Sequence, residues 1–153
     1  MIFDHPEVCL FQPEIPQNTG NIGRICAATQ CRMHLIRPFA FSMDDRNVRR
    51  AGLDYWPFLD LEIHDSLELL IERFNGNFAY LTTKATRPYT QMNPDVKLLL
   101  FGQETKGLPE WVHKKWPDKG WTIPMFHSGV RSLNVANSVS AVLYHQLTRL
   151  KGV

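Results

Sequence analysis

The sequence predicts an α/β fold, a mostly parallel sheet flanked by helices, as a single domain over residues 1–153. Short apolar runs of four to six residues alternate with longer segments in which apolar residues recur at helical spacing. This β/α alternation is typical of parallel sheets with helices on both faces, where ligands bind at the carboxyl ends of the strands. At 153 residues the chain is long enough for one hydrophobic core and too short to expect two domains.

Six segments have the composition of strands. EVCLF is an uninterrupted apolar run typical of a buried strand, and LDLEI alternates as a strand does. The predicted strands are EVCLF (7–11), MHLI (33–36), LDLEI (59–63), FAYLTT (78–83), KLLLF (97–101) and the shorter WTIPM (121–125).

Three segments have helical periodicity. The first runs from Ile22 to Cys31. The second is capped by Asp65 or Ser66, continues through Phe74 and is stopped by Asn75-Gly76. The third runs from about Asn134 to Lys151 and ends before Gly152. These helices fit between the predicted strands.

The composition is that of an ordinary soluble globular protein, with 44% apolar residues and a net charge of +2. No apolar run approaches the roughly 20 residues that a membrane helix needs. The first residues, MIFDHPEV, lack a basic segment followed by an apolar stretch, so no secretory signal is expected. We therefore expect a cytoplasmic protein without membrane contact.

Neither cysteines nor histidines form a metal-binding pattern. Cys9, Cys26 and Cys31 include no Cys-x-x-Cys pair, and a free thiol in an apolar segment behaves as a small hydrophobic group. The six histidines are scattered along the chain rather than placed at ligand spacing. We expect structural cysteines and no metal.

Two common nucleotide-binding motifs are missing. No Gly-x-Gly-x-x-Gly follows the first strand, which disfavours the usual dinucleotide-binding fold. FGQETKGLP has the glycine spacing of a phosphate loop, but Leu108 and Pro109 replace the Lys and Ser or Thr that such a loop requires. An ATPase is therefore disfavoured.

Three loop segments rich in Gly, Pro or Asn flank the predicted strands. They are PQNTGNIGR (16–24), LLLFGQETKGLP (98–109) and IPMFHSGVRSLNVANSVSAVLYH (123–145). In this order they resemble the three motifs of the SPOUT family of S-adenosylmethionine-dependent RNA methyltransferases, and the likeness covers nearly the whole chain. It is specific to the small members that 2′-O-methylate the wobble nucleotide of transfer RNA and have no separate RNA-binding extension. His145 departs from the glutamate that many relatives carry.

The resemblance implies features that apolar periodicity does not predict. The family threads its C-terminal segment through a loop to form a deep trefoil knot, which general rules of chain topology exclude. It also implies a homodimer with an active site built partly at the subunit interface. The implied cofactor is S-adenosylmethionine. The implied substrate is the cytidine or modified uridine at position 34 of transfer RNA, in leucine isoacceptors.

The resemblance also assigns cofactor contacts in the three motifs and in the fourth predicted strand. The implied residues are Leu81, Thr82, Gly102, Glu104, Gly107, Ile123, Ser132 and Leu133. Glycine suits such a site because no side chain keeps the backbone away from the ligand. Gly102 and Gly107 can equally serve only to close turns.

Methyl transfer to a ribose 2′-hydroxyl requires a group that polarises a poor nucleophile. The family pattern places Arg24 opposite that hydroxyl, and we expect the loose PQNTGN segment to present Arg24 at the start of a helix. A guanidinium keeps its proton to a pH above about 12. We therefore expect Arg24 to stabilise developing negative charge rather than to act as a general base, with the proton passing to a phosphate, water or a carboxylate.

Three residues are implied to support Arg24. Asn18 would orient Arg24 or the ribose, and Glu104 would position Arg24 or a loop amide. Asn134 would fix the loop before the last helix, although it can instead simply cap that helix.

Clustered basic residues are candidates for RNA contacts: Arg46, Arg49, Arg50, Lys114, Lys115 and Arg131. Basic groups neutralise phosphates and aromatic rings stack on unpaired bases, but a solvated surface has a similar composition. Two other functions stay open. One is methylation of another transfer-RNA position or of ribosomal RNA, and the other is RNA binding without catalysis, for which the GQETKGLP loop has no use.

Overall fold

The computed structural model describes residues 4–50 and 55–153, so the first three residues of MIFDHPEV lie outside the described residues. The described strands form one sheet in the order β3-β2-β1-β5-β4-β6, and every pairing between them is parallel. These strands are β1 (Glu7–Phe11), β2 (Met33–Ile36), β3 (Leu61–His64), β4 (Phe78–Leu81), β5 (Leu98–Phe101) and β6 (Gly120–Trp121). The predicted α/β class with a parallel sheet is confirmed.

Helices cover both faces of the sheet. The described α-helices are α1 (Pro16–Thr29), α2 (Arg46–Arg50), α3 (Leu67–Glu72), α4 (Glu110–Lys115) and α5 (Val135–Lys151). Helices α1 and α5 pack on one face, with α2 lying against α1, and α3 and α4 pack on the other. The deep knot that the resemblance implies stays a prediction.

Strand β5 shows how the sequence produces these two layers. All four of its residues, LLLF, are buried, as expected for a central strand covered on both faces. Side chains alternate along a strand, so Leu99 and Phe101 join the core with α1 and α5, whereas Leu98 and Leu100 join the core with α3 and α4. Two hydrophobic cores therefore share one sheet.

The first helix starts six residues earlier than the sequence pattern predicts. Pro16 occupies its first turn, where a missing amide hydrogen costs nothing, and the PQNTGN segment is helical rather than a loose loop. Its glycines allow close packing instead of flexibility. The Tyr55 hydroxyl donates to the Gly20 carbonyl at 2.5 Å, and a Cβ on Gly23 would lie 2.9 Å from the Tyr55 oxygen. Arg24 is consequently well inside α1, and the expectation that it stands at a helix start was wrong.

Several other boundaries differ from the predictions. The third strand is shifted to Leu61–His64, and the WTIPM strand is reduced to Gly120–Trp121. Pro124 has no amide hydrogen to give to a sheet, so that strand could not continue to Met125. Helix α3 ends at Glu72, but its predicted cap is confirmed because the Ser66 hydroxyl accepts from the Leu69 amide at 3.2 Å.

The last helix and the cysteines agree with expectation. Asn134 is the N-cap of α5 and Gly152 its left-handed C-cap. All three cysteines are free and buried, and burial raises the pKa of their thiols, that of Cys31 to about 11. In the described parts of the chain no helix combines the length and apolar content needed to cross a bilayer.

Candidate active site

A pocket of about 370 Å³ opens at the carboxyl ends of β4 and β5. Its walls come from residues 81–84 after β4, the loop 101–108 after β5, residues 131–135 before α5, and the start of α1. The volume lies in the range typical of small-molecule sites. The predicted residues that line it are Asn18, Leu81, Thr82, Gly102, Glu104, Gly107, Ile123, Arg131, Ser132, Leu133 and Asn134.

The loop after β5 folds into a very tight turn. The amide of Gln103 donates to the Gly107 carbonyl and the Gly107 amide donates to the Gln103 carbonyl, both at 3.0 Å. Gly107 has a φ of +66°, which favours glycine. A Cβ on Gly102 would lie 2.3 Å from the Gly107 carbonyl carbon and 2.5 Å from the Leu108 nitrogen. Glycine is therefore required at 102 by the backbone of this loop itself.

Two carboxylates clasp this loop to the start of α1. Glu104 accepts from the amides of Glu14 at 2.9 Å and Ile15 at 3.1 Å, just before the first helical residue. In return, Glu14 accepts from the Thr105 amide at 3.0 Å and the Thr105 hydroxyl at 2.8 Å. Of the two roles predicted for Glu104, holding loop amides fits this geometry. It is a positioning residue that joins the pocket loop to the helix carrying Arg24.

The clasp predicts a pH dependence of stability. The pKa of Glu14 is lowered from the ordinary 4.5, mainly by the hydrogen bond from the Thr105 amide and secondly by that from the Thr105 hydroxyl. Such a carboxyl stabilises the fold above its unfolded pKa, and this contribution is lost as the pH falls through the folded pKa. We expect wild type to have a higher urea midpoint than Glu14→Gln at neutral pH, with the midpoints converging below about pH 4. A constant difference throughout the acid range would contradict this.

Asn18 and Asn134 join α1 to α5 beside the pocket. The Asn134 amide nitrogen donates to the Asn18 side-chain oxygen at 3.0 Å. The Asn134 side-chain oxygen accepts from the Ala136 amide at 2.8 Å and the Asn137 amide at 3.3 Å. Asn134 therefore both caps α5 and links the two helices, so the two roles considered from the sequence are compatible.

The cap predicts a measurable loss of stability. Asn134→Ala should lower the free energy of unfolding by about 0.5–2 kcal/mol, because two amides in the first turn of α5 lose their acceptor. Asn134→Asp keeps an acceptor at the same position and should recover most of that loss. Urea unfolding of the three proteins measures both effects. An alanine variant as stable as wild type would show that the cap contributes nothing.

Arg24 does not line the pocket of its own chain. Its side chain is exposed and, among the described residues, forms no hydrogen bond or ion pair. Six residues beyond Asn18, it lies about 9 Å further along α1 and roughly 240° around the helix axis. The fold therefore places Asn18, Glu104 and Asn134 together at the pocket and Arg24 away from them.

Two of the pocket residues that were not predicted from the sequence have titratable side chains close to other charged groups. His113 lines the pocket from α4. Its pKa is lowered mainly by burial and, to a smaller extent, by the positive charge of nearby Lys84. Its imidazole is therefore neutral at pH 7. Lys84 also lines the pocket and is paired with Glu110 at 3.1 Å. Neither residue belongs to a recognised motif, and α4 was not predicted, so no local pattern pointed to them.

The candidate RNA-binding residues fall into separate regions. Helix α2, with Arg46, Arg49 and Arg50, lies against α1, whereas α4, with Lys114 and Lys115, packs on the opposite face of the sheet. Arg49 is paired with Asp44 at 2.8 Å and lies over the Trp56 ring, and Lys115 is paired with Glu68 at 2.6 Å. Arg131 alone of these six also lines the pocket.

The fold and this pocket define a class: α/β proteins that bind a small ligand at the carboxyl edge of a parallel sheet, next to the β1–β5 switch point. The chain belongs to the SpoU rRNA Methylase family, whose model matches residues 6–144. This agrees with the resemblance found in the three motifs.

Close relatives share nearly the full length. A Bacillus subtilis protein is 45% identical over 146 residues, covering 92% of this chain and 90% of that protein. A tRNA (cytidine(34)-2′-O)-methyltransferase from Yersinia pestis is 41% identical over 152 residues, covering 94% of this chain and 93% of that protein. A solved structure described as giving "Structural insights into the 2-OH methylation of C/U34 on tRNA" matches with a TM-score of 0.88 and 37% identity, covering 99% of this chain and all of that one.

Proposed function

We propose that this chain transfers a methyl group from S-adenosylmethionine to the ribose 2′-hydroxyl of the wobble nucleotide of transfer RNA, position 34, in leucine isoacceptors. The observation that carries the proposal is one pocket built by the three motif segments together. The proposal is also supported by similarity between this chain and the tRNA (cytidine(34)-2′-O)-methyltransferase from Yersinia pestis, which extends over almost the whole chain.

The pocket fits the cofactor in its chemistry. Leu81, Ile123 and Leu133 offer apolar surface for an adenine ring, and the close turn at Gly102 presents backbone instead of side chains. Thr82 and Ser132 add hydroxyl groups that can bind polar edges of the ligand. When bound there, S-adenosylmethionine supplies an electrophilic methyl group. The residues that would hold it are those of the three loops.

Arg24 has the chemistry for the second reactant. A fixed guanidinium beside the ribose would stabilise the negative charge that develops on the 2′-oxygen, and its planar fork can also hold a neighbouring phosphate. Among the described residues its side chain has no ion-pair partner, which leaves the guanidinium free to interact with the substrate as far as those residues show. The proton goes to a phosphate, water or a carboxylate, since the guanidinium cannot accept it.

A homodimer would bring Arg24 to a pocket. Arg24 lies away from the pocket of its own chain, so a second copy is the simplest source of a complete site. Large apolar side chains are exposed near the pocket and on α5: Phe126 at 99%, Val130 at 50%, Leu133 at 43% and Tyr144 at 48%. Such surface is suited to burial against another subunit. Sedimentation equilibrium should give twice the chain mass, and a monomer that is fully active would refute this arrangement.

Arg131 is the candidate whose loss should weaken RNA binding most clearly. Arg131 is exposed at the pocket, so Arg131→Ala should raise the KM for transfer RNA. It should also reduce the slope of log binding constant against log salt concentration by about 0.7–0.9, the change expected for one lost phosphate contact. Lys115→Ala is the matched control, because Lys115 is already paired with Glu68. Equal effects of the two variants would contradict a specific role for Arg131.

The first experiment for the proposal is calorimetry with S-adenosylmethionine, with ATP as a control nucleotide, followed by transfer of a labelled methyl group to transfer RNA. Binding together with transfer is expected. RNA binding without cofactor binding would instead identify a non-catalytic RNA-binding protein.

A further inference from the structure

A partly buried polar cluster lies on the sheet face covered by α3 and α4. His34 is fully buried, and its Nε2 lies 2.8 Å from Glu7 Oε1. Its Nδ1 lies 2.9 Å from His64 Nε2 and 3.9 Å from Glu62 Oε2. None of these four residues lines the pocket, and the proposed methyl transfer does not use them.

Strand register brings these distant residues together. In the β2–β3 ladder His34 stands opposite Glu62, and Ile36 stands opposite His64. Side chains two apart on a strand share a face, so Glu62 and His64 point to the same side as His34. Glu7 reaches the cluster from β1, on the other side of β2. Histidines scattered in sequence thus become neighbours in the sheet.

We propose that His34 Nδ1, His64 Nε2 and a carboxylate oxygen of Glu62 form a binding site for a divalent transition-metal ion of the zinc type. Among the described residues, these three offer ligand atoms that all lie within 4.8 Å of one another. Two imidazoles and one carboxylate are a donor set that zinc accepts, with a fourth position left for water.

Glu7 prepares His34 for this role. An ionised carboxylate can only accept, so the bond from His34 Nε2 places the ring proton on that nitrogen and leaves a lone pair on Nδ1. A carboxylate behind the metal-binding histidine is the usual arrangement that fixes its orientation and tautomer. In the metal-free protein the His34 Nδ1 lone pair accepts from His64 Nε2 at 2.9 Å, so an ion takes the place of this hydrogen bond and the His64 proton moves to its Nδ1.

The spacing and charge are compatible with an ion. Zinc–nitrogen bonds of about 2.0–2.1 Å at tetrahedral angles place two nitrogens roughly 3.3 Å apart, a few tenths of an ångström more than the observed 2.9 Å. Glu62 already accepts from Arg73 at 3.1 Å on Oε1 and 3.4 Å on Oε2, and Oε2 lies 3.2 Å from Arg32. A carboxylate has about four lone-pair sites, so one remains for a metal, on Oε1. The carboxylates of Glu7, Glu62 and Asp60 outnumber these two guanidinium groups.

The test uses untagged protein stripped with a chelator and titrated with Zn²⁺ by calorimetry, with Co²⁺ absorption as a report of coordination. One ion per chain is expected, bound by wild type and lost in His64→Gln and Glu62→Gln. Glu7→Gln, which removes only the carboxylate behind His34, should weaken binding about 10–100-fold. His127→Gln is the matched control, because His127 is an exposed histidine away from the cluster.

Circular dichroism of each variant checks that it is folded, and the half-buried positions of Glu62 and His64 make their isosteric replacements tolerable. No Zn²⁺ binding by folded wild type would overturn the proposal. So would binding that survives in both ligand variants, or that is lost equally in His127→Gln, since either places the ion elsewhere.

Discussion

Replacing Arg24 by alanine is expected to reduce methyl transfer by at least about 10²–10³-fold, the effect of removing one group that stabilises transition-state charge. Binding of S-adenosylmethionine should be unchanged, because Arg24 does not line the pocket. Single-turnover transfer to transfer RNA measures the first effect and calorimetry the second. Equal loss of cofactor binding would defeat this assignment.

Two further variants separate charge from geometry and from general damage. Arg24→Lys keeps the positive charge but loses the planar fork, so it should recover little activity. A lysine variant with most of its activity and an unchanged pH profile would show that the fork is not needed. Arg32→Ala is the control, since Arg32 precedes β2 at the amino edge of the sheet, opposite the pocket, and should leave transfer intact.

Replacing Gly102 by alanine is expected to abolish cofactor binding. The added Cβ would meet backbone atoms of Gly107 and Leu108 at 2.3 and 2.5 Å, and backbone cannot move aside as a flexible side chain can. The turn must open, which disrupts the pocket loop and its clasp to α1. A loss of stability of about 1–3 kcal/mol or more accompanies overpacking of this kind. Calorimetry and urea unfolding measure the two effects.

Gly76→Ala is the matched control for Gly102→Ala. Gly76 has a φ of +80°, but a Cβ added there would meet no atom within 4 Å, so alanine costs only backbone strain, about 1–2 kcal/mol. It should reduce stability and leave cofactor binding unchanged. If both glycine variants bound the cofactor normally, the tight turn at Gly102 would be irrelevant to the site.

The central part of the fold follows from local patterns. Strands such as LLLF of β5 are short apolar runs buried on both faces, and the helices between strands have apolar residues at helical spacing. The parallel arrangement is therefore predictable. The start of α1 is not predictable in this way, because the segment that contains Pro16, Gly20 and Gly23 has the composition of a loop. The groups that make it helical lie far away: Glu104 holds the amides before it, and Tyr55 packs on its glycines.

The site follows from sequence only where motifs carry it. Residues of the three motifs meet at one pocket, and this was predicted from the resemblance rather than from periodicity. The clasp partner Glu14 and the pocket residue His113 could not be found in this way, because their roles depend on contacts across the fold. For the same reason the His34, Glu62 and His64 cluster was missed: it exists only in the register of β2 and β3.

The most direct test of the proposed function is transfer of a labelled methyl group from S-adenosylmethionine to unfractionated transfer RNA lacking the modification. Nuclease digestion and mass spectrometry then identify the methylated nucleotide. We expect a 2′-O-methyl group at position 34 of leucine isoacceptors. Cofactor binding without label in transfer RNA would contradict that substrate and direct the search to ribosomal RNA, and absence of cofactor binding would contradict the enzymatic function itself.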